Sequence, residues 1–296
     1  MLRQIKGDEK TYKLTLSDGK VWGFSATESI APWLKELSTI MGLKESNSKE
    51  ADNSLLFLAL NKDNLPPDSD LTDWKTYKQG AVYRMWSHHE KPEIFVELNK
   101  DFIEHPEIKV VNMLLSLRSI FRHYSKCNGS PVHAALAELN GKGILITASS
   151  GTGKSTCSRR FPPRFKPLSD DTALIIRDKD DNFRVHPMPT WSDHLWGTRF
   201  STYESSHSVP LSAIFFLEQS DVDAIVPVKK AIAIQKIFEG LKQIWERCWD
   251  KEDKQSQKMM ISNLFKTACD IADKTPYYTL KATLHGKFYD EIEKVL

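Results

Sequence analysis

The sequence predicts an α/β fold in which a sheet carries a phosphate-binding loop and flanking helices, behind an N-terminal α+β portion. Three observations predict it. Residues 143–156 pass from an apolar run into a small-residue loop that ends Gly153-Lys154-Ser155-Thr156. Residues 11–24 and 81–98 alternate apolar and polar positions around polar turns, as half-buried strands do. Residues 110–124, 234–248 and 260–272 repeat apolar positions at intervals of three and four, as amphipathic helices do.

Taken in order, residues 11–24 form a hairpin turning at Asp18-Gly19. Thr27 or Ser29 caps a helix running through Trp33, Leu34, Leu37, Ile40 and Met41, stopped by Gly42. Residues 44–53 are polar and read as a loop, 55–60 as a strand, and 61–67 as a loop again. Strands follow at 81–86 and 93–98. His88-His89-Glu90 lies in the turn between them, where adjacent histidines point apart and a solvated turn outweighs a metal site. One helix is expected over 108–124, through Val110, Met113, Leu114, Leu117, Ile120, Phe121 and Tyr124. The Asn128-Gly129-Ser130-Pro131 stretch then separates an N-terminal accessory domain, 1–128, from a nucleotide-binding domain, 129–296.

Residues 132–139 read as a strand that turns at Asn140-Gly141 into the strand of the loop. A strand beside the loop strand brings His133 toward the loop, although a lone histidine there is more often structural. After the loop helix, residues 168–176 resume a strand that includes Asp170 and Asp171. Residues 185–193 form a loop stiffened by Pro187 and Pro189, with His186, Thr190, Trp191 and Ser192 as candidates to line an acceptor pocket. Trp191 and Trp196 serve equally well as core aromatics. Residues 211–217 are a buried strand, 234–248 and 260–272 two helices, and 277–284 a last strand before a short C-terminal helix.

The loop's residue types suit a polyphosphate. Gly151 and Gly153 allow backbone conformations that let successive N–H groups converge on phosphate oxygens. The helix start at Lys154 adds unpaired N–H groups and the positive end of its dipole. Lys154 supplies a mobile cation and Ser155 a hard oxygen for Mg²⁺. Ser149, Ser150, Gly151, Thr152, Gly153, Lys154, Ser155 and Thr156 are therefore the candidate nucleotide-binding residues. The pattern departs from G-x-x-x-x-G-K-[ST] at its first position, Ala148. Paired Asp170 and Asp171 at a strand edge beside such a loop divide two tasks, one toward Mg²⁺ and one as proton acceptor; without the loop they would read as a turn or cap pair.

Composition sets the class. The 296 residues are 40% hydrophobic and 27% charged, the profile of a globular protein, and long enough for one large or two ordinary domains. A net charge of +2 without a long basic run gives no footprint for nucleic acid. No stretch approaches the ~20 apolar residues of a membrane span. The first eight residues lack the apolar core of a signal peptide, so a cytoplasmic location is expected. Cys127, Cys157, Cys248 and Cys269 form no metal-ligand spacing and read as reduced, mostly buried thiols. Cys157, just after the loop, is expected to be open to thiol reagents.

Val132-His133-Ala134, the 148–155 loop and Leu168-Ser169-Asp170-Asp171, in this order and spacing, resemble the HPr kinase/phosphorylase group of P-loop kinases, related to ATP-dependent phosphoenolpyruvate carboxykinase. The resemblance covers roughly residues 130–296. Segments 186–193, 211–218 and 277–296 look closer to a kinase-like branch encoded with peptide-modification systems, the ScmC branch of SynChlorMet cassettes. It implies a sheet of that type and Mg-ATP-dependent phosphorylation of a serine in a peptide or small protein. Carried over by position, it gives Lys154 the β and γ phosphates, Ser155 and Asp171 the Mg²⁺, Asp170 the role of base, and His133 support of the transferred group. Ala148 and Ala134 stand where the group has glycine, and its C-terminal segment associated with dephosphorylation is missing, so a kinase without phosphorylase activity is expected. Two rivals are a small-molecule kinase on the same scaffold and a non-catalytic nucleotide-sensing module whose N-terminal domain binds a partner. A homo-oligomer is compatible with either.

Overall fold

The computed structural model describes residues 10–60, 74–79, 82–88, 90–127, 129–149, 151–195, 202–247 and 254–296. In chain order these form β1 (Thr11–Thr15), β2 (Val21–Ala26), α1 (Ala31–Met41), β3 (Lys44–Ser46), β4 (Asn53–Ala59), β5 (Trp74–Gln79), β6 (Tyr83–His88), β7 (Glu93–Leu98), α2 (Pro106–Ser116) and α3 (Arg118–Lys126). They continue with β8 (Gly129–Leu139), β9 (Lys142–Thr147), α4 (Lys154–Arg160), β10 (Phe165–Ser169), β11 (Thr172–Arg177), β12 (Phe183–Pro187) and α5 (Trp191–Leu195). Last come β13 (Val209–Gln219), β14 (Ala224–Pro227), α6 (Lys230–Arg247), α7 (Lys254–Lys274), β15 (Tyr277–Ala282) and α8 (Phe288–Glu293). This is a mixed α/β protein with two sheets and helices. None of the described helices is long and apolar enough to cross a membrane. The loop expected at 61–67 and the first eight residues, together with His89, Trp196 and Cys248, lie outside the described residues.

The chain separates into two compact units, Met1–Ser119 with Trp191–Ser206, and Ile120–Thr190 with His207–Leu296. The first holds a seven-stranded sheet in the order β3-β1-β2-β4-β7-β6-β5. Its hairpin turns where Gly19 takes φ 86°. Helix α1 begins on Ala31-Pro32 without a side-chain cap, so Thr27 and Ser29 do not cap it through their side chains. Pro32 instead supplies a preset φ near the start. Gly42 ends α1 at φ 63°, and its N–H bonds back to the last turn. Part of the polar 44–53 segment is not loop but β3, paired antiparallel to β1. The helix expected over 108–124 is two helices, α2 and α3, broken at Leu117. Segment 202–205 bonds to the end of α1, Tyr203 N–H to Ile40 O and Ser205 N–H to Met41 O.

The second unit is an eight-stranded sheet with helices on both faces. Its main path runs β10-β8-β11-β12-β13-β15-β14, and β9 lies between β8 and β13. Side chains alternate across a strand, and here the alternation builds two cores. Val132, Ala134, Leu136, Leu145, Ile214 and Phe216 face α6 and α7, whose Ala233, Ile237, Leu241, Leu264 and Ile271 fill that side. Ala135, Ile144, Ile146, Ala213 and Phe215 face the opposite side with Cys157 of α4 and Phe288 and Ile292 of α8. The strand expected over 168–176 is really β10 and β11, both antiparallel to β8 and separated by Asp170-Asp171.

Gly129 fixes how closely β8 approaches β11. A Cβ there would stand 2.0 Å from the Ile175 carbonyl oxygen, which is backbone and cannot step aside. Gly129→Ala is therefore expected to cost about 3 kcal/mol, the upper end for overpacking. A thermal melt checks this, and an unchanged midpoint would refute it.

Candidate functional site

The site is built where β9 leaves the sheet. Three β-branched or apolar residues, Ile144, Leu145 and Ile146, are buried in the sheet, and the chain then breaks at Ala148 into the small-residue loop. Gly151 and Gly153 sit at φ 81° and 103°. A Cβ at either would meet nothing within 4 Å, so the demand for glycine there comes from the backbone and not from space. Gly153 is the residue that enters α4, and the Cys157 N–H closes the first turn on its carbonyl. Lys154 is 7% exposed, and its Nζ donates to Ala148 O at 2.9 Å and Ser149 O at 3.5 Å, so the ammonium lies across the loop. Ser149, Ser155 and Thr156 are exposed, Thr152 is half-buried, and Ser150 lies outside the described residues.

The carboxylates stand at the break between β10 and β11. Thr172 lies opposite His133 in the β8–β11 register, and Ala134 lies opposite Thr147 in β8–β9, so one short stretch of β8 links the carboxylate pair to the loop strand. His133 Nδ1 is 2.9 Å from the Asp171 carbonyl oxygen and 3.2 Å from its Oδ1. A carbonyl oxygen only accepts, so Nδ1 carries the proton. Thr172 Oγ1 donates to Asp171 Oδ2 at 3.1 Å. Asp170 is held from two sides: its N–H donates to Thr190 Oγ1 at 3.1 Å, and Ser158 Oγ donates to its Oδ1. Ser158 lies one turn past Lys154 on α4, so the loop helix itself holds the Asp170 carboxylate.

On the other sheet face a cavity of about 590 Å³ opens against the loop, walled by residues 147–149, 151 and 152, the end of β13 and one face of α6. Gly240 allows α6 to come close here, since a Cβ at that position would stand 3.2 Å from Thr147 Oγ1. Gln219 Nε2 donates to Thr152 O at 3.3 Å and Lys236 pairs with Glu218 at 3.0 Å.

The structure thus joins His133 to Asp171 and Asp170 to the loop helix. No group of three or more His, Cys, Asp or Glu suited to a metal occurs among the described residues. His186 is 1% exposed within β12, Thr190 is 4% exposed, and Trp191 is 6% exposed in the first unit; the Ser192 side chain is not described. Sequence reasoning missed Ser158, Thr190 as a partner of Asp170, Glu218 and Lys236. Only Ser158 had a local signal, its four-residue spacing from Lys154.

Cys157 corrects another expectation. It is 4% exposed, and burial pushes its thiol up to about 11 from 9.0, against a lowering by the nearby Arg160 charge. The thiol reagents expected to reach it meet a buried, protonated group. At pH 8 iodoacetamide should label exposed Cys127 while sparing Cys157 in the folded protein. Peptide mapping checks this, and equal labelling would contradict it. Because the folded state holds the proton more tightly, the associated stability is complete below pH 9 and is lost as pH rises toward 11.

Comparison with known proteins adds the family. A 64-residue segment is 36% identical to the HPr kinase/phosphorylase of Bacillus cereus (strain B4264), covering 22% of this chain and 21% of that protein. The HPr kinase/phosphorylase of Bacillus anthracis (strain A0248) matches to the same extent. The match spans about a fifth of the length of these curated relatives. The family model described as SynChlorMet cassette protein ScmC matches residues 95–296, more than half of the chain. The chain belongs to the SynChlorMet cassette protein ScmC family.

Proposed function

We propose that this chain is a Mg-ATP-dependent kinase that transfers the γ-phosphoryl group to a Ser or Thr hydroxyl of a peptide or small protein, in the cytoplasm. In this reading residues 129–296 are the catalytic domain and residues 1–128 an accessory domain. The observation that carries it is the hydrogen bond from Ser158 to Asp170, which makes the phosphate-type loop and the carboxylate pair parts of one local structure. The similarity to HPr kinase/phosphorylase supports the same chemistry.

The residues fit the nucleotide and its metal. The positive-φ glycines give the loop a backbone that residues with a Cβ resist, the adjoining cavity of about 590 Å³ falls within the range of small-molecule sites, and Ser155 and Asp171 offer the hard oxygens that Mg²⁺ prefers. ATP with Mg²⁺ supplies a transferable phosphoryl group whose displacement asks mainly for alignment and charge neutralisation. Lys154, whose ammonium rests on the loop carbonyls, would contact the β and γ phosphates, and the loop N–H groups would hold them. Ser155 and Asp171 would hold Mg²⁺, with Asp171 fixed by His133 through the Nδ1 bond. Asp170 accepts the acceptor hydroxyl's proton while Ser158 and Thr190 keep its carboxylate and backbone in place.

The test supplies ATP labelled at the γ phosphorus with peptides encoded beside the gene and with a metabolite panel. Label on a peptide Ser or Thr supports the proposal. Label on a metabolite only would make the chain a small-molecule kinase, and bound ATP without transfer would leave a nucleotide-sensing module.

A further inference from the structure

The cavity beside the loop has two unlike walls. The loop wall, residues 147–149, 151 and 152, is the phosphate side in the nucleotide reading, beside Lys154 at the start of α4. The facing wall is α6, where Lys236, Glu239, Gly240 and Gln243 recur at intervals of three and four and so lie on one helix face above the end of β13. The Lys236 charge is already met by Glu218 at 3.0 Å, and the ammonium also rests 5.5 Å from the centre of the Phe216 ring. Glu239 is braced along the helix by Gln235 Nε2 at 3.1 Å. Counting Glu218, Lys236 and Glu239 together, this wall carries one net negative charge at neutral pH.

A phosphate would be repelled by that wall. A carboxylate is instead the partner for a sugar's vicinal hydroxyls, which only need an acceptor. An amide such as Gln243 both donates and accepts, as the edge of a heterocyclic base requires. We infer that the α6 wall is the nucleoside subsite, with Glu239 taking the ribose hydroxyls and Gln243 the base edge of a ribonucleoside triphosphate whose phosphates lie on the loop. This assignment rests on the nucleotide reading of the loop given above.

Calorimetric titration of the full chain with Mg²⁺ compares ATP with inorganic tripolyphosphate, which has the phosphates but no nucleoside. In the wild-type protein ATP should bind more tightly than tripolyphosphate. Glu239→Ala combined with Gln243→Ala should weaken ATP about 10-fold or more, as expected for two lost hydrogen bonds, and leave tripolyphosphate within about 2-fold. Both positions lie on the cavity-facing side of a helix that alanine favours, so the fold is expected to survive. An unchanged ATP affinity, or an equal loss for both ligands, would overturn the subsite. Wild-type protein that binds both ligands equally would also overturn it while leaving the loop reading intact. Binding of neither would remove the nucleotide reading, and the subsite with it.

Discussion

Lys154→Ala protein is expected to bind Mg-ATP about 10- to 100-fold more weakly and to transfer phosphate about 10²- to 10³-fold more slowly. The first figure follows from losing one or two charge-assisted contacts, each contributing about 1.5–3 kcal/mol. The second follows from losing a cation aimed at charge that grows during transfer. The geometry makes the residue hard to replace. Its ammonium already lies over the loop carbonyls of Ala148 and Ser149, so in the proposed reading it would reach a phosphate on the same loop. Calorimetry and a transfer assay separate the two effects. Wild-type binding by the variant would show that the loop does not hold phosphate through Lys154.

The second large effect is at Asp170. Asp170→Asn keeps the shape of the side chain, and its amide oxygen still accepts the Ser158 hydroxyl, so ATP affinity should stay within about 3-fold. An amide does not take the acceptor's proton, and transfer should fall about 10²- to 10⁴-fold. Asp171→Asn should act differently. In the proposed reading it would weaken the hold on Mg²⁺, and it removes the charge from the carboxylate that His133 Nδ1 faces, so its defect should be eased by higher Mg²⁺ concentration. If Asp170→Asn transfers at the wild-type rate, Asp170 is not the base. If the two variants exchange behaviours, the roles of the pair are reversed.

Local chemistry was the part of the fold readable from sequence. Asp18-Gly19 announced a turn and Gly42 a helix end because each backbone conformation needs its residue type. The loop was readable for the same reason, through Gly151, Gly153 and Lys154. The break of α2 from α3 at Leu117 was not, because Leu114, Leu117, Ile120 and Phe121 stay in helical phase with no glycine or proline between them. Strand β3 was hidden by its exposed polar residues, since it exists through pairing with β1 and not through a buried face. The placement of 191–206 with the first unit is a long-range fact that no local pattern carries. Within the candidate site the same divide holds. Lys154, Asp170 and Asp171 stood out as residue types, whereas Thr190, Glu218 and Lys236 acquire meaning only from what folding sets beside them.

The most direct test of the account is phosphorus NMR of the protein with Mg-ATP and the candidate acceptor peptides. The account predicts that the γ-phosphate signal declines as a phosphate monoester on a peptide Ser or Thr appears, along with ADP. ATP that binds and stays intact in the presence of those peptides would contradict it.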